Sequence, residues 1–178
     1  ATMVFVSKCD LENANYFKIL EDMKIRFGST VCPCVVPAKL DDGTPVYINL
    51  FSQKAFKYES GKQIQVDLPD IGHRFQGLIE AMSEAIAETD DELMEKFFET
   101  MELSAEDMAK GLKIGVRDGS VCPVLCGSAR TGMGVDMLMQ TIVDLVPVAT
   151  DMPAEAAEDD DGNPIEVAYD PNGTTAAF

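Results

Sequence analysis

The hydrophobic pattern along the chain changes period three times. Val4, Phe5 and Val6 form a short continuous apolar run, as in a strand covered on both faces. It ends abruptly in Ser7-Lys8-Cys9-Asp10. Tyr16, Leu20, Met23 and Phe27 then recur at helical spacing, which predicts a helix from about Asn13 to Phe27. Asn13 suits its start and Gly28 its end. From Val31 to Asp67 the pattern is that of strands and tight turns. TVCPCVVPAKL and TPVYINLF flank Asp41-Asp42-Gly43, while KAFKY and QIQVDL flank Ser60-Gly61-Lys62. Ile64, Val66 and Leu68 alternate with polar residues, so this block reads as an antiparallel meander with one wet face.

After Pro69 the helical period returns. Ile71, Phe75, Leu78 and Met82 make one stripe, and Leu93, Phe97 and Met101 another, behind a capping box of Thr89 and Glu92. Ser104 and Asp107 open a third helix carrying Met108, Leu112 and Val116. These methionines read as core. Val121 to Cys126 is a second apolar strand; it turns at Gly127-Ser128-Ala129 into a helix with Val135, Leu138, Ile142 and Leu145 on one side. The pattern predicts an α/β fold in which the two apolar strands are parallel neighbours with flanking helices. Between them lies an inserted α+β block with an antiparallel meander and three helices.

Composition narrows the partners. Acidic residues number 31 against 14 basic, a net charge of −17, which opposes direct nucleic-acid binding. No apolar run reaches the roughly 18 residues of a membrane span, and no signal peptide is present, so a cytoplasmic location without a membrane partner is expected. Five cysteines, Cys9, Cys32, Cys34, Cys122 and Cys126, fit a reducing compartment and read as buried thiols; Cys32-x-Cys34 lacks zinc-knuckle spacing, and no metal site is expected. His73, the only histidine, has no evident partner. From Thr150 onward the chain is acidic and rich in Pro, Gly and Asn, and reads as a linker. Asp159 to Gly162 matches D-x-x-G, but no strand is read before it, and a calcium loop there would place Ala157 and Ala168 at ligand positions.

In an open α/β sheet, ligands bind beyond the carboxyl ends of the strands. Both apolar strands deliver special residues there: Ser7, Lys8 and Asp10 on one, Ser128 and Ala129 on the other. A carboxylate at Asp10 can accept two hydrogen bonds from a planar donor pair such as the ring N–H and amino group of guanine, which adenine does not offer in that arrangement. The Lys8 stem can lie over a base. Backbone amides at Ser128-Ala129 can donate to the guanine carbonyl. Alone, S-K-C-D also fits a plain turn.

With both tips in view, the sequence resembles the translational GTPases, and most closely elongation factor G and its paralogues. Ser7-Lys8-Cys9-Asp10 stands where that family has Asn-Lys-Met-Asp, and CPVLCGSA where it has VPVLCGSA. AETDDELMEKFFE, Ala87 to Glu99, is similar to a helix of the family's insert, and DPNGTTAAF to the entry of its β-barrel domain. The resemblance implies a partial P-loop-GTPase-type fold. Residues 1–30 and 119–149 would form the second half of a GTP-binding domain, 31–118 its insert, and 150–178 a linker to the second domain. It further implies guanine contacts by Lys8, Asp10, Ser128 and Ala129, GTP or GDP with magnesium in the whole protein, and work on the ribosome. Ser7 replaces the family asparagine, which points to a divergent paralogue.

No G-x-x-x-x-G-K-[ST] occurs in the sequence. The expectation is therefore a piece of a longer GTPase, with no turnover and no tight nucleotide binding of its own. An unpaired Val4–Val6 edge would favour self-association. The alternatives are part of a ribosome-protection or release-factor GTPase, or a non-catalytic interaction module.

Overall fold

The computed structural model describes residues 1–69, 72–159, 162–170, 172 and 173, with only the backbone described at 72 and 74. The chain divides into two compact units, Ala1–Val146 and Pro147–Phe178. In the first, strands β1 (Val4–Val6), β2 (Val31–Pro33), β3 (Val35–Lys39), β4 (Pro45–Asn49), β5 (Lys54–Glu59), β6 (Lys62–Val66) and β7 (Cys122–Cys126) combine with five helices. These are α1 (Tyr16–Phe27), α2 (Gly72–Ala87), α3 (Asp91–Thr100), α4 (Ala105–Asp118) and α5 (Val135–Leu145). The expected fold class is the observed one.

Parallel pairing sets Val4 opposite Val124, Phe5 opposite Leu125 and Val6 opposite Cys126, as the two apolar runs suggest. The sheet has a third strand that the pattern did not isolate. Residues Val31–Pro33 pair in parallel with the other side of β7, giving the order β1-β7-β2. TVCPCVVPAKL reads as one segment, yet Cys34 separates two strands that enter different sheets. The Cys34 N–H still reaches the Val124 carbonyl at 2.8 Å, while its own carbonyl accepts from Leu50 N–H, so one residue joins the parallel layer to the antiparallel one.

The antiparallel sheet runs β3-β4-β5-β6. Both predicted turns are present. Asp42 Oδ1 accepts from Thr44 N–H at 2.8 Å in the first, and Ser60 and Gly61 take the positive φ that the second requires. One core is continuous through Val6, Tyr16, Leu20, Ile48, Met82, Ile86, Val116, Val124 and Leu125. Full burial of each such aliphatic side chain contributes about 1.5–3 kcal/mol.

Several helix boundaries differ from the sequence reading because a better acceptor lies nearby. Asn15, not Asn13, caps α1, accepting from Lys18 N–H. Asp90 caps α3 through Glu92 N–H and Leu93 N–H, whereas Thr89 donates to the Ile86 carbonyl. Ser104 caps α4 as expected. Phe27 and Met101 are exposed rather than core, since each stands where its helix ends. On α5 the most buried residue is Met137, so that face is turned from the predicted stripe. His73 is exposed, and Ile71 lies outside the described residues.

In the second unit, β8 (Glu155–Glu158) and β9 (Pro164–Val167) form an antiparallel hairpin where a linker was expected. Asp159 and Gly162, the two ends of the D-x-x-G run, lie between these strands, so a strand does precede Asp159. Asp159 accepts from the Asn163 side-chain and backbone amides, and Gly162 N–H returns to the Asp159 carbonyl. Only part of DPNGTTAAF is described.

Candidate functional site

The parallel ladder does not stop at the strand ends. Gly127 N–H donates to the Val6 carbonyl at 3.1 Å, and Cys9 N–H donates to the Gly127 carbonyl at 3.0 Å. These bonds carry the β1–β7 pairing into the loops and hold the two tips together. Lys8 sits between them at φ +63, a left-handed conformation that costs a non-glycine residue about 1–2 kcal/mol. Leu11 N–H donates to its carbonyl at 3.2 Å and closes the turn.

Past β7, the chain folds back tightly. A Cβ at Gly127 would stand 2.2 Å from the Met133 carbonyl oxygen, and one at Gly134 would stand 2.4 Å from the Cys126 carbonyl oxygen. Glycine at both positions lets Ser128 N–H reach Met133 O at 2.8 Å and Gly132 N–H reach Ser128 O at 2.9 Å. The Ser128 amide is therefore spent inside its own loop, and Ala129 beside it is exposed.

The predicted residues fall into two groups. Asp10 and Ser128 lie side by side: the Ser128 side chain is the first influence holding the Asp10 carboxyl low, and the Ser128 hydroxyl accepts from Thr131 N–H at 3.3 Å. Ser128 is fully buried and the Asp10 side chain is 8% exposed. Ser7, Lys8 and Ala129 are exposed around them. Arg130 is the second influence that holds the Asp10 carboxyl below the usual carboxylate range.

Two participants escape sequence reasoning. Arg130 donates to Asp10 Oδ2 from Nη2 at 2.6 Å and from Nε at 3.2 Å. It presents to Asp10 the kind of planar N–H pair that guanine would present. It stands visibly two residues after Ser128, but no periodicity links it to Asp10. The second is Cys9, half-buried rather than buried, as is Cys122; Cys32, Cys34 and Cys126 are buried. Cys9 and Asp10 line a cleft of about 570 Å³ shared with Tyr16, Tyr47 and Met133.

No family profile matches the chain. Elongation factor G of Ureaplasma parvum serovar 3 is 35% identical over 180 residues, covering 99% of this chain and 26% of that protein. An elongation factor G-like protein of Thermotoga maritima is 30% identical over 167 residues, covering 94% of this chain and 24% of that one. A crystal structure of a Thermus thermophilus protein superposes with a TM-score of 0.75 at 32% identity, covering 87% of this chain and 24% of that chain. The chain spans about a quarter of the length of the relatives it matches. By collinear sequence and by fold, the chain belongs to the elongation factor G family.

Proposed function

We propose that the chain supplies the guanine-recognition loops of a GTP-binding domain in an elongation factor G-like protein. The parallel layer, residues 1–33 and 119–149, is the second half of that domain, its first part reaching past the expected residue 30 because β2 pairs with β7. The antiparallel sheet with α2, α3 and α4 is its insert, and the chain after residue 149 leads toward the next domain. Asp10 accepts from the purine's ring N–H and amino group, Lys8 covers a base face, and the Ala129 amide donates to the carbonyl. Ser128 acts behind them, its hydroxyl holding Asp10 charged and oriented. Arg130 occupies the acceptor when no base is present and swings out as one enters; at 76% side-chain exposure its release disturbs no packing.

The observation that carries this reading is the nearness of Asp10 and Ser128 at the tips of neighbouring parallel strands. The whole protein, on this reading, binds GTP with magnesium, hydrolyses it on the ribosome during translocation, and works in the cytoplasm. Nothing in the 178 residues matches a phosphate loop, so the chain's own affinity for nucleotide is low.

An NMR titration of the chain with GDP and with ADP tests it. GDP is expected to shift Lys8, Asp10, Ser128 and Ala129 at concentrations where ADP leaves them unmoved. Equal responses to both nucleotides, or shifts confined to other surfaces, would overturn the reading.

A further inference from the structure

We propose that Tyr58 is a positioning residue for the candidate site: from the antiparallel sheet it fixes the first turn of α5, and through that turn the loop that carries Ser128, Ala129 and Arg130. The consequence for base recognition rests on the proposed function; the anchoring of the loop does not. Register sets Tyr47 of β4 opposite Phe56 of β5. Tyr58, two residues beyond Phe56, shares its face of the sheet and is the diagonal neighbour of Tyr47. Their ring centroids lie 6.0 Å apart with the planes at 83°, an edge-to-face pair. The two rings serve different neighbours. Tyr47 is buried and lines the cleft beside Cys9, Asp10 and Met133. The Tyr58 hydroxyl donates to Asp136 Oδ1, 78 residues away in sequence.

Asp136 stands in the first turn of α5, and the same Oδ1 accepts from Met137 N–H at 3.0 Å. The capping position of that helix is Gly134, which has no side chain to offer the free N–H groups. The bond from Tyr58 therefore holds a helix start that lacks a side-chain cap. Burial first, and Asp136 second, push the Tyr58 hydroxyl above the ordinary tyrosine range, so the donor keeps its proton near neutral pH.

Fixing the start of α5 fixes the loop before it. The near end of the loop is held by Gly127 N–H on the Val6 carbonyl. Its far end runs through Met133 and Gly134 into α5, where Leu138 N–H donates to the Gly134 carbonyl at 3.1 Å. Ser128 N–H donates to the Met133 carbonyl, so Ser128 is bonded to a residue three positions ahead of Asp136. A first turn that frays lets Gly134 and Met133 drift, and Ser128 drifts with them. A pinned first turn keeps Ser128 beside Asp10. Tyr58 acts on this geometry through Asp136, so losing its hydroxyl weakens the candidate site without abolishing it.

The test compares the wild-type chain with Tyr58→Phe, Asp136→Ala and the double variant, by amide hydrogen exchange without ligand and by NMR titration with GDP. Tyr58→Phe keeps the ring against Tyr47 and removes only the hydroxyl bond. In each variant the Ser128 and Gly132 amides should exchange faster, while the β4–β5 ladder stays as protected as in the wild type. The GDP midpoint should rise by about two- to tenfold, the worth of one hydrogen bond. The double variant should respond no more weakly than the weaker single variant, because both changes remove the same bond. Asp136→Asn keeps an acceptor oxygen and should stay close to the wild type. Unchanged exchange at Ser128 and Gly132 in Tyr58→Phe, an unchanged GDP midpoint, or losses that multiply in the double variant would overturn the proposal. Should Tyr58→Phe fail to fold, Asp136→Ala carries the same comparison. If GDP never shifts the wild-type chain but Tyr58→Phe speeds exchange at Ser128 and Gly132, the guanine reading falls and the anchoring of the loop stands.

Discussion

Arg130 and Asp10 lie 120 residues apart in sequence and 2.6 Å apart in the fold, with the guanidinium on the carboxylate proposed above as the guanine acceptor. Intramolecular occupation of this kind lowers the apparent affinity for anything that must displace it. Arg130→Ala should therefore strengthen the GDP response of the chain, by about two- to fivefold given the modest worth of an exposed ion pair. NMR titration midpoints check this; a weaker response in the variant would assign Arg130 to nucleotide binding instead.

Asp10 also gives the candidate site a defined pH dependence. Its native carboxyl is held below the ordinary range by Ser128 and then by Arg130, so the charged form is favoured by folding. Its stabilisation is complete above the unfolded value of about 4 and is lost as pH falls through the lower native value. The melting-temperature gap between wild type and Asp10→Asn should shrink between about pH 6 and pH 3. Asp42, Asp107 and Asp118, also held low, cancel in that difference. A gap that stays constant across the range would show that the charge of Asp10 is not what stabilises the tip.

Close helix packing can be tested by one paired substitution. A Cβ on Gly115 would stand 2.5 Å from Val121 Cγ2, whereas one on Gly77 meets nothing within 4 Å. Gly115→Ala should destabilise by about 1–3 kcal/mol through overpacking. Gly77→Ala should stabilise by about 0.5–1 kcal/mol through helix propensity. Urea midpoints moving in opposite directions would support the close packing of α4 against Val121, the residue ahead of β7; parallel movement would contradict it.

Among the described residues β1 is an edge strand, paired on one side only, by β7. Its free side offers backbone groups and apolar side chains to a second copy. Light scattering should show mass rising with concentration, and Val4→Lys should suppress the rise. A constant monomer mass in the wild type would remove edge pairing from the account.

Much of this fold was legible because local signals and tertiary needs agree in it. The continuous apolar run at Val121–Cys126 becomes the central, largely buried strand β7, and the run at Val4–Val6 pairs with it in parallel from the sheet edge, half-buried at Val4 and Phe5. The two hairpins announced themselves through Asp42-Gly43 and Ser60-Gly61. What remained hidden depends on contacts remote in sequence. The switch of sheets at Cys34 is made by bonds to Val124 and Leu50, which no local pattern encodes. The hairpin at Glu155–Val167 is short and acidic, with little apolar alternation to mark it. At the candidate site, Asp10 and Ser128 were readable as strand tips. The guanidinium on Asp10 takes its place only once β1 and β7 are laid in register.

The most direct test of base recognition changes the chemistry of one side chain. Asp10→Asn replaces an acceptor pair by one donor and one acceptor, which suits xanthine's ring N–H and adjacent carbonyl rather than guanine's two donors. Titrated with GDP and with xanthosine diphosphate, the wild-type chain should respond to GDP and the variant to xanthosine diphosphate. If Asp10→Asn keeps an unchanged response to GDP and gains none to xanthosine diphosphate, Asp10 does not read the base, and the site is not a guanine site.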